Sequence, residues 1–229
     1  MDLASASEFY FVYEPIVSPA GNVLGFEMLT RRTPTEARLC DAEHLFSMLD
    51  ARHKIQIFSD QVDTVTENAA YFSEQNLRVS LNVDLDIAEF IARSSMISNK
   101  LKKLAFVRLE INEHFPELYQ PRPQPLLTQL ACCCPLWLDD FGSVNYPRRQ
   151  PQLAQFEYIK LDKQYFWRNQ NTEKLSSMIK QLNQVSGGVI VEGIETLAHR
   201  EGLINSGIVG MQGYLWPSRV QCNPQNAFR

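Results

Sequence analysis

The chain has 229 residues, 45% of them hydrophobic, with a formal net charge of -4. That length buries a substantial core, and the slight acidity excludes a broad electrostatic grip on nucleic acid, so no direct DNA binding is expected. The opening MDLASASEFYF lacks the basic start and apolar core of a secretory signal, and no apolar run reaches the roughly 18 residues of a spanning helix, so a cytoplasmic protein with no membrane contact is expected.

In chain order, short β-rich runs alternate with stretches of helical pattern. Strands are predicted over 9–17, 23–29, 77–83, 105–111, 134–139, 156–161, 188–194 and 208–214; helices over 42–68, 85–92, 124–131, 172–185 and 197–206. The basic group Lys100, Lys102 and Lys103 reads as a solvated helix end, and PRPQP at 121–125 as a surface loop. Cys132, Cys133 and Cys134, three of five cysteines, match neither a disulfide framework nor a spaced zinc motif and read as buried reduced thiols in a strand. The tail QCNPQNAFR has no period. No tract marks a linker, so 1–229 reads as a single domain. Strands alternating with helices favour a parallel sheet, and about eight of them favour a barrel: an α/β fold.

Polar residues recur at the ends of these strands. Asn82, Glu110, Asp139, Lys160, Glu192 and Gln212 each lie near the end of an apolar run, spaced by 28, 29, 21, 32 and 20 residues, and Glu27 does the same after Val23 to Phe26. A parallel barrel brings its strand C-termini to one rim, where such folds gather their chemistry. Any one of these residues alone reads as a cap, a turn or a surface pair, Lys160 with Asp162 for instance; together they point to a shared mouth. Glu27, Glu110, Asp139, Asp140 and Glu192 would bring five negative charges there, and two carboxylates about 4 Å apart repel by roughly 4 kcal/mol at an effective dielectric of 20. Two divalent ions plus Lys160 balance that charge, with Asp139 shared between the ions. Oxygen ligands and one Asn carbonyl suit Mg²⁺ or Mn²⁺ better than zinc. None of the four histidines ends a strand of this set.

Seven ordered stretches then carry a family resemblance: "GFEMLTR" (25–31), "VSLNV" (79–83), "LEINE" (109–113), "LDDFGS" (138–143), "YIKLD" (158–162), "VEGIET" (191–196) and "MQGYLWP" (211–217). With these the chain resembles, over essentially its whole length, the EAL domains, bacterial phosphodiesterases that linearise the second messenger cyclic di-GMP. The resemblance implies a modified TIM (β/α)8 barrel with one antiparallel strand, which fits the few residues between the first two strands. It implies a first metal ion on Glu27, Asn82, Glu110 and Asp139 and a second on Asp139, Asp140 and Glu192. Lys160 is similar to the lysine that contacts the attacking water, Arg31 to the arginine on a substrate phosphate, and Gln212 to the glutamine near the second ion's waters. Glu113 resembles the glutamate that steadies the loop after the paired aspartates, with Glu195 and Ser143 in supporting positions; Tyr214 and Pro217 lie where a ligand contact is expected. Hydrolysis to linear pGpG with Mg²⁺ or Mn²⁺ follows, and Ca²⁺ is expected to inhibit.

The sequence departs from the family pattern in places. Glu14 stands where the first strand usually carries a guanine-reading Gln, a role its carboxylate could fill through the N1 and N2 donors. Asn112 replaces a Thr, and "DDFGSVNYP" replaces DDFGTGYSS in the loop that couples the metals to the dimer interface, leaving a homodimer open. The rival expectation is an EAL-like protein without catalysis that binds cyclic di-GMP or a transcription-regulator protein partner.

Overall fold

The computed structural model describes residues 9–32, 49–120, 124–143 and 151–220. β1 (Phe9–Val17) and β2 (Val23–Arg32) form an antiparallel hairpin in which Glu14 lies opposite Glu27. There follow α1 (Ala51–Glu67), α2 (Ala69–Glu74), β3 (Arg78–Val83), α3 (Leu85–Arg93), α4 (Ser95–Lys102), β4 (Val107–Asn112), α5 (Pro125–Ala131) and β5 (Leu136–Phe141). The remaining elements are β6 (Phe156–Leu161), α6 (Lys163–Asn169), α7 (Glu173–Leu182), β7 (Val189–Val191), α8 (Leu197–Leu203), β8 (Gly210–Gln212) and β9 (Arg219–Val220). Strands β2 to β8 pair in parallel in chain order, and β1 pairs antiparallel with both β2 and β8. An eight-stranded α/β barrel of the TIM type therefore closes through one inverted strand. β9 adds a short antiparallel pairing to β1 at Val12 and Tyr13.

Local chemistry sets the helix starts. The side chains of Asp50, Asp84, Ser94, Asp162 and Thr196 each accept the backbone N–H three residues on, capping α1, α3, α4, α6 and α8, an arrangement that contributes about 1 kcal/mol each. The Asp50 cap explains why α1 begins at Ala51 rather than at 42; residues 42–48 lie outside the described residues, as do His44, the later part of the DDFGSVNYP loop and the tail. Lys100 and Lys102 occupy the last turn of α4, where cations favour the helix dipole. The cysteine reading needs correction: Cys132 is exposed, Cys133 half-buried and only Cys134 buried, because all three lie in the turn after α5, ahead of β5. Burial pushes the Cys134 thiol up to about 12.

The main core lies between barrel and helices, with Phe58, Val62 and Val65 of α1 packed with the apolar faces of β3 to β7, such as Leu81, Leu109, Leu138 and Ile159. A separate small cluster of Ile16, Trp137 and Ile190 joins β1, β5 and β7, and Trp137 Nε1 donates to Glu157 Oε2 at 2.8 Å. Where β2 meets β3, Gly25 has no room for a side chain: an added Cβ would lie 2.3 Å from the Arg78 carbonyl oxygen. Gly25→Ala is expected to cost about 2 kcal/mol through this overpacking, read as a lower urea midpoint with an unchanged slope.

Candidate functional site

The C-terminal ends of the strands surround a cavity of about 460 Å³. The side chain at its centre is Lys160 of β6, only 1% exposed. Its Nζ lies 2.9 Å from Glu27 Oε2, 3.0 Å from Glu110 Oε2, 2.9 Å from Asp139 Oδ1 and 2.9 Å from Glu192 Oε1. Residues from β2, β4, β5 and the end of β7 thus meet at one atom, as the strand-end spacing predicts. Glu27 is held further by Asn82 Nδ2 at 2.7 Å and Gln212 Nε2 at 2.7 Å, from β3 and β8.

Asp139 and Asp140 pose a geometric problem, since neighbours along a strand face opposite ways. The β5–β6 register shifts between Leu138 and Phe141, and Asp140 adopts φ +56, a left-handed conformation that aspartate tolerates better than most residues. The irregularity lets both carboxylates line the cavity. Asn112 Nδ2 fixes the turned side chain by donating to Asp140 Oδ2 at 2.7 Å. Behind it, buried Glu113 accepts from Gly142 N at 2.9 Å and from the Ser143 hydroxyl, tying down the loop that leaves β5.

The electrostatics follow from one cation facing several anions. Burial alone would lower the Lys160 pKa, but the charges of Asp139, Glu110, Glu192 and Glu27 outweigh it and hold the ammonium well above its ordinary range. Glu27 resists its burial through Lys160, Gln212 and Asn82 and stays below the usual carboxylate value. Glu110 and Glu192 are pushed well above it by burial, to which Glu27 adds at Glu110, while the charge of Lys160 works against burial at Glu192. Burial and then Asp139 raise Asp140 to about 7. An ammonium has three N–H groups for four carboxylates, and the buried Glu110 Oε1 and Gln212 Oε1 meet no well-formed donor. Excess anionic oxygen around a single cation fits a divalent-ion site. One oxygen each of Asp139, Asp140 and Glu192 lie within 4.8 Å of one another, and with Glu27, Asn82 and Glu110 the set offers only oxygen ligands, the chemistry of Mg²⁺ or Mn²⁺.

The other expected residues fall in several places. Glu14, Arg31, Glu195 and Tyr214 line the cavity, Tyr214 at 79% exposure. Pro217 is exposed and does not line it, and Glu113 and Ser143 stand behind the wall. Asp162 caps α6 instead of pairing with Lys160. No described histidine lines the cavity; His199 packs edge-on against Phe166. Sequence reasoning missed Asp84, Lys163 and Trp167 as lining residues. Trp167 Nε1 donates to the Gly193 carbonyl at 2.8 Å, and Gly193, at φ +74, has Lys163 Cβ 2.6 Å from where a Cβ would stand. The signal that finds this turn is Asp162 as an N-cap ahead of KQYFWR, which marks α6.

Compared with known proteins, residues 1–218 match the EAL domain family. The chain belongs to that family. Among EAL relatives, it is 25% identical over 213 residues to the cyclic di-GMP phosphodiesterase PdeH of Escherichia coli K12, covering 89% of this chain and 81% of PdeH. It is 23% identical over 219 residues to the anti-FlhC(2)FlhD(4) factor YdiV of Salmonella paratyphi B, covering 93% of this chain and 91% of that protein. The crystal structure of the EAL-like domain protein YdiV superposes with a TM-score of 0.80 at 21% identity, covering 92% of each chain, and supports the barrel. Among the described residues no helix is long and apolar enough to cross a membrane.

Two outcomes test this EAL site without turnover. Lys160→Met, in EDTA, is expected to lose about 3 kcal/mol because it strands buried carboxylates, and excess Mn²⁺ should recover most of that loss in a thermal melt. Asp140 titrates at about 7 folded against an ordinary 3.8, so its contribution is complete below the lower value and is lost as pH rises through the upper one. In EDTA the Tm should therefore fall more between pH 4 and 7 for the native chain than for Asp140→Asn, and Mn²⁺ should remove the difference.

Proposed function

We propose that the chain is a metal-dependent phosphodiesterase that hydrolyses cyclic di-GMP to linear pGpG. The observation that carries this reading is the meeting of Glu27, Glu110, Asp139 and Glu192 on the Lys160 ammonium, with Asp140 beside them. The PdeH relative, whose name gives this activity, supports the choice of substrate. Glu27, Asn82, Glu110 and Asp139 would hold one ion and Asp139, Asp140 and Glu192 a second. When bound, Mg²⁺ or Mn²⁺ supplies positive charge for the phosphodiester and a water acidic enough to be deprotonated near neutral pH.

The chain's own residues do the rest. Lys160, held protonated, cannot serve as a base; with its carboxylate partners drawn onto bound ions, its N–H groups would turn to the nucleophilic water or to charge growing on the phosphoryl oxygens. Gln212 donates through Nε2 to Glu27, which leaves its Oε1 as an acceptor for the O–H of a water in the cavity. Glu113 acts as a positioning residue, holding Gly142 and Ser143 so that the turn at Asp140 keeps its shape. In-line attack expels the 3′ oxygen of one guanosine and opens the ring.

A second reading is an EAL protein that acts by binding a regulator. The YdiV relative, which spans 93% of this chain and is named for its action against FlhC(2)FlhD(4), favours it. Purified protein incubated with cyclic di-GMP and Mg²⁺ or Mn²⁺ should form pGpG on ion-pair chromatography; Ca²⁺ should support binding with little turnover; and Glu27→Gln should lower the rate by at least about 10²-fold. If pGpG does not form while the cellular effect persists in Glu27→Gln, the regulator-binding reading replaces hydrolysis.

A further inference from the structure

Among the described residues, the cations lining the mouth are Arg31, Lys160 and Lys163. Lys160 is committed to four carboxylates. Arg31 is committed as well, because its Nη2 donates to Glu14 Oε1 at 2.9 Å, with side-chain exposures of 29% and 16%. The ladder makes this contact informative. Arg31 lies opposite Tyr10, four residues before Glu14 on β1, so the two backbones stand roughly 13 Å apart along the strand. The Arg31 side chain must therefore run down β1 toward the barrel interior to reach Glu14. Glu14 is anchored there, since its strand partner is Glu27 and its second oxygen lies 3.5 Å from Gln212 Nε2.

A guanidinium presents a planar fork to carboxylates and phosphates alike. An anionic ligand entering this mouth and the Glu14 carboxylate thus compete for the same donors. We propose that Glu14 is an affinity-determining residue: an internal anion that occupies Arg31 and has to be displaced by the phosphate of an incoming phosphodiester. The identity of that ligand rests on the function proposed above; the engagement of Arg31 does not.

Glu14→Gln keeps the side chain's size and removes its charge. Two measurements test the variant. The first is the rate at which phenylglyoxal modifies Arg31, mapped by mass spectrometry on the free protein. A released guanidinium should react several-fold faster in Glu14→Gln than in the native chain. The second is cyclic di-GMP affinity by calorimetry in Ca²⁺, which is expected to rise about tenfold on loss of a charged competitor, with the gain absent when Arg31→Ala is the background. Unchanged modification rates overturn the proposal, as does an unchanged affinity or a gain that survives Arg31→Ala, which would make Glu14 a source of general repulsion. Faster modification with no cyclic di-GMP binding by either protein supports the occupied Arg31 and instead removes the proposed ligand.

Discussion

A single buried ammonium surrounded by carboxylates organises this molecule. Lys160 lies inside a barrel whose walls contribute an acid from β2, from β4, from β5 and from the end of β7, all within about 3 Å of one nitrogen. Charges taken this far out of water are tolerated only when paired and hydrogen-bonded. The pairing also fixes the strands that supply them, because each acid reaches Nζ only if its strand keeps register with its neighbours. Structural integrity and chemistry are therefore tied to the same contacts, and the surplus of anionic oxygen makes the centre a receptor for further positive charge.

The rest of the architecture serves to aim side chains at that point. Parallel strands deliver one inward residue per level, which yields Glu27, Asn82, Glu110, Lys160 and Gln212 without distortion. A second carboxylate from β5 requires the left-handed turn at Asp140, stabilised from one side by Asn112 and through the following loop by Glu113. Strain of this kind persists where surrounding bonds over-determine it.

Much of this was legible in the sequence because the repeating signal is simple. Eight apolar runs, seven of them with a polar residue near the C-terminal end, define the strands, and the observed bounds of β1, β3 and β6 differ from expectation by at most one residue. The spacing of Glu27, Glu110, Asp139 and Glu192 gives the shared mouth once the sheet is parallel. Legibility failed where a structure depends on short-range capping or on contacts distant in the chain. Helices α2, α4 and α6 are only six to eight residues long, too short for a clear 3.6-residue period, and α6 is announced mainly by its Asp162 cap. The three cysteines look like strand residues by composition, yet β5 starts only at Leu136 and leaves them in the turn after α5. The Arg31–Glu14 contact joins residues whose backbones are not neighbours on the ladder, so no motif encodes it.

The inverted first strand carries one more consequence. In a barrel whose strands all point the same way, the polypeptide begins on the face remote from the chemistry. Here β1 runs against its neighbours, and its first residue, Phe9, pairs with Arg32 at the far end of β2. The backbone thus threads into the barrel from the same side as the substrate would. The N-terminal end of β1 therefore belongs to the rim that holds the chemistry, and a change in its pairing with Arg32 would be felt at the opening itself.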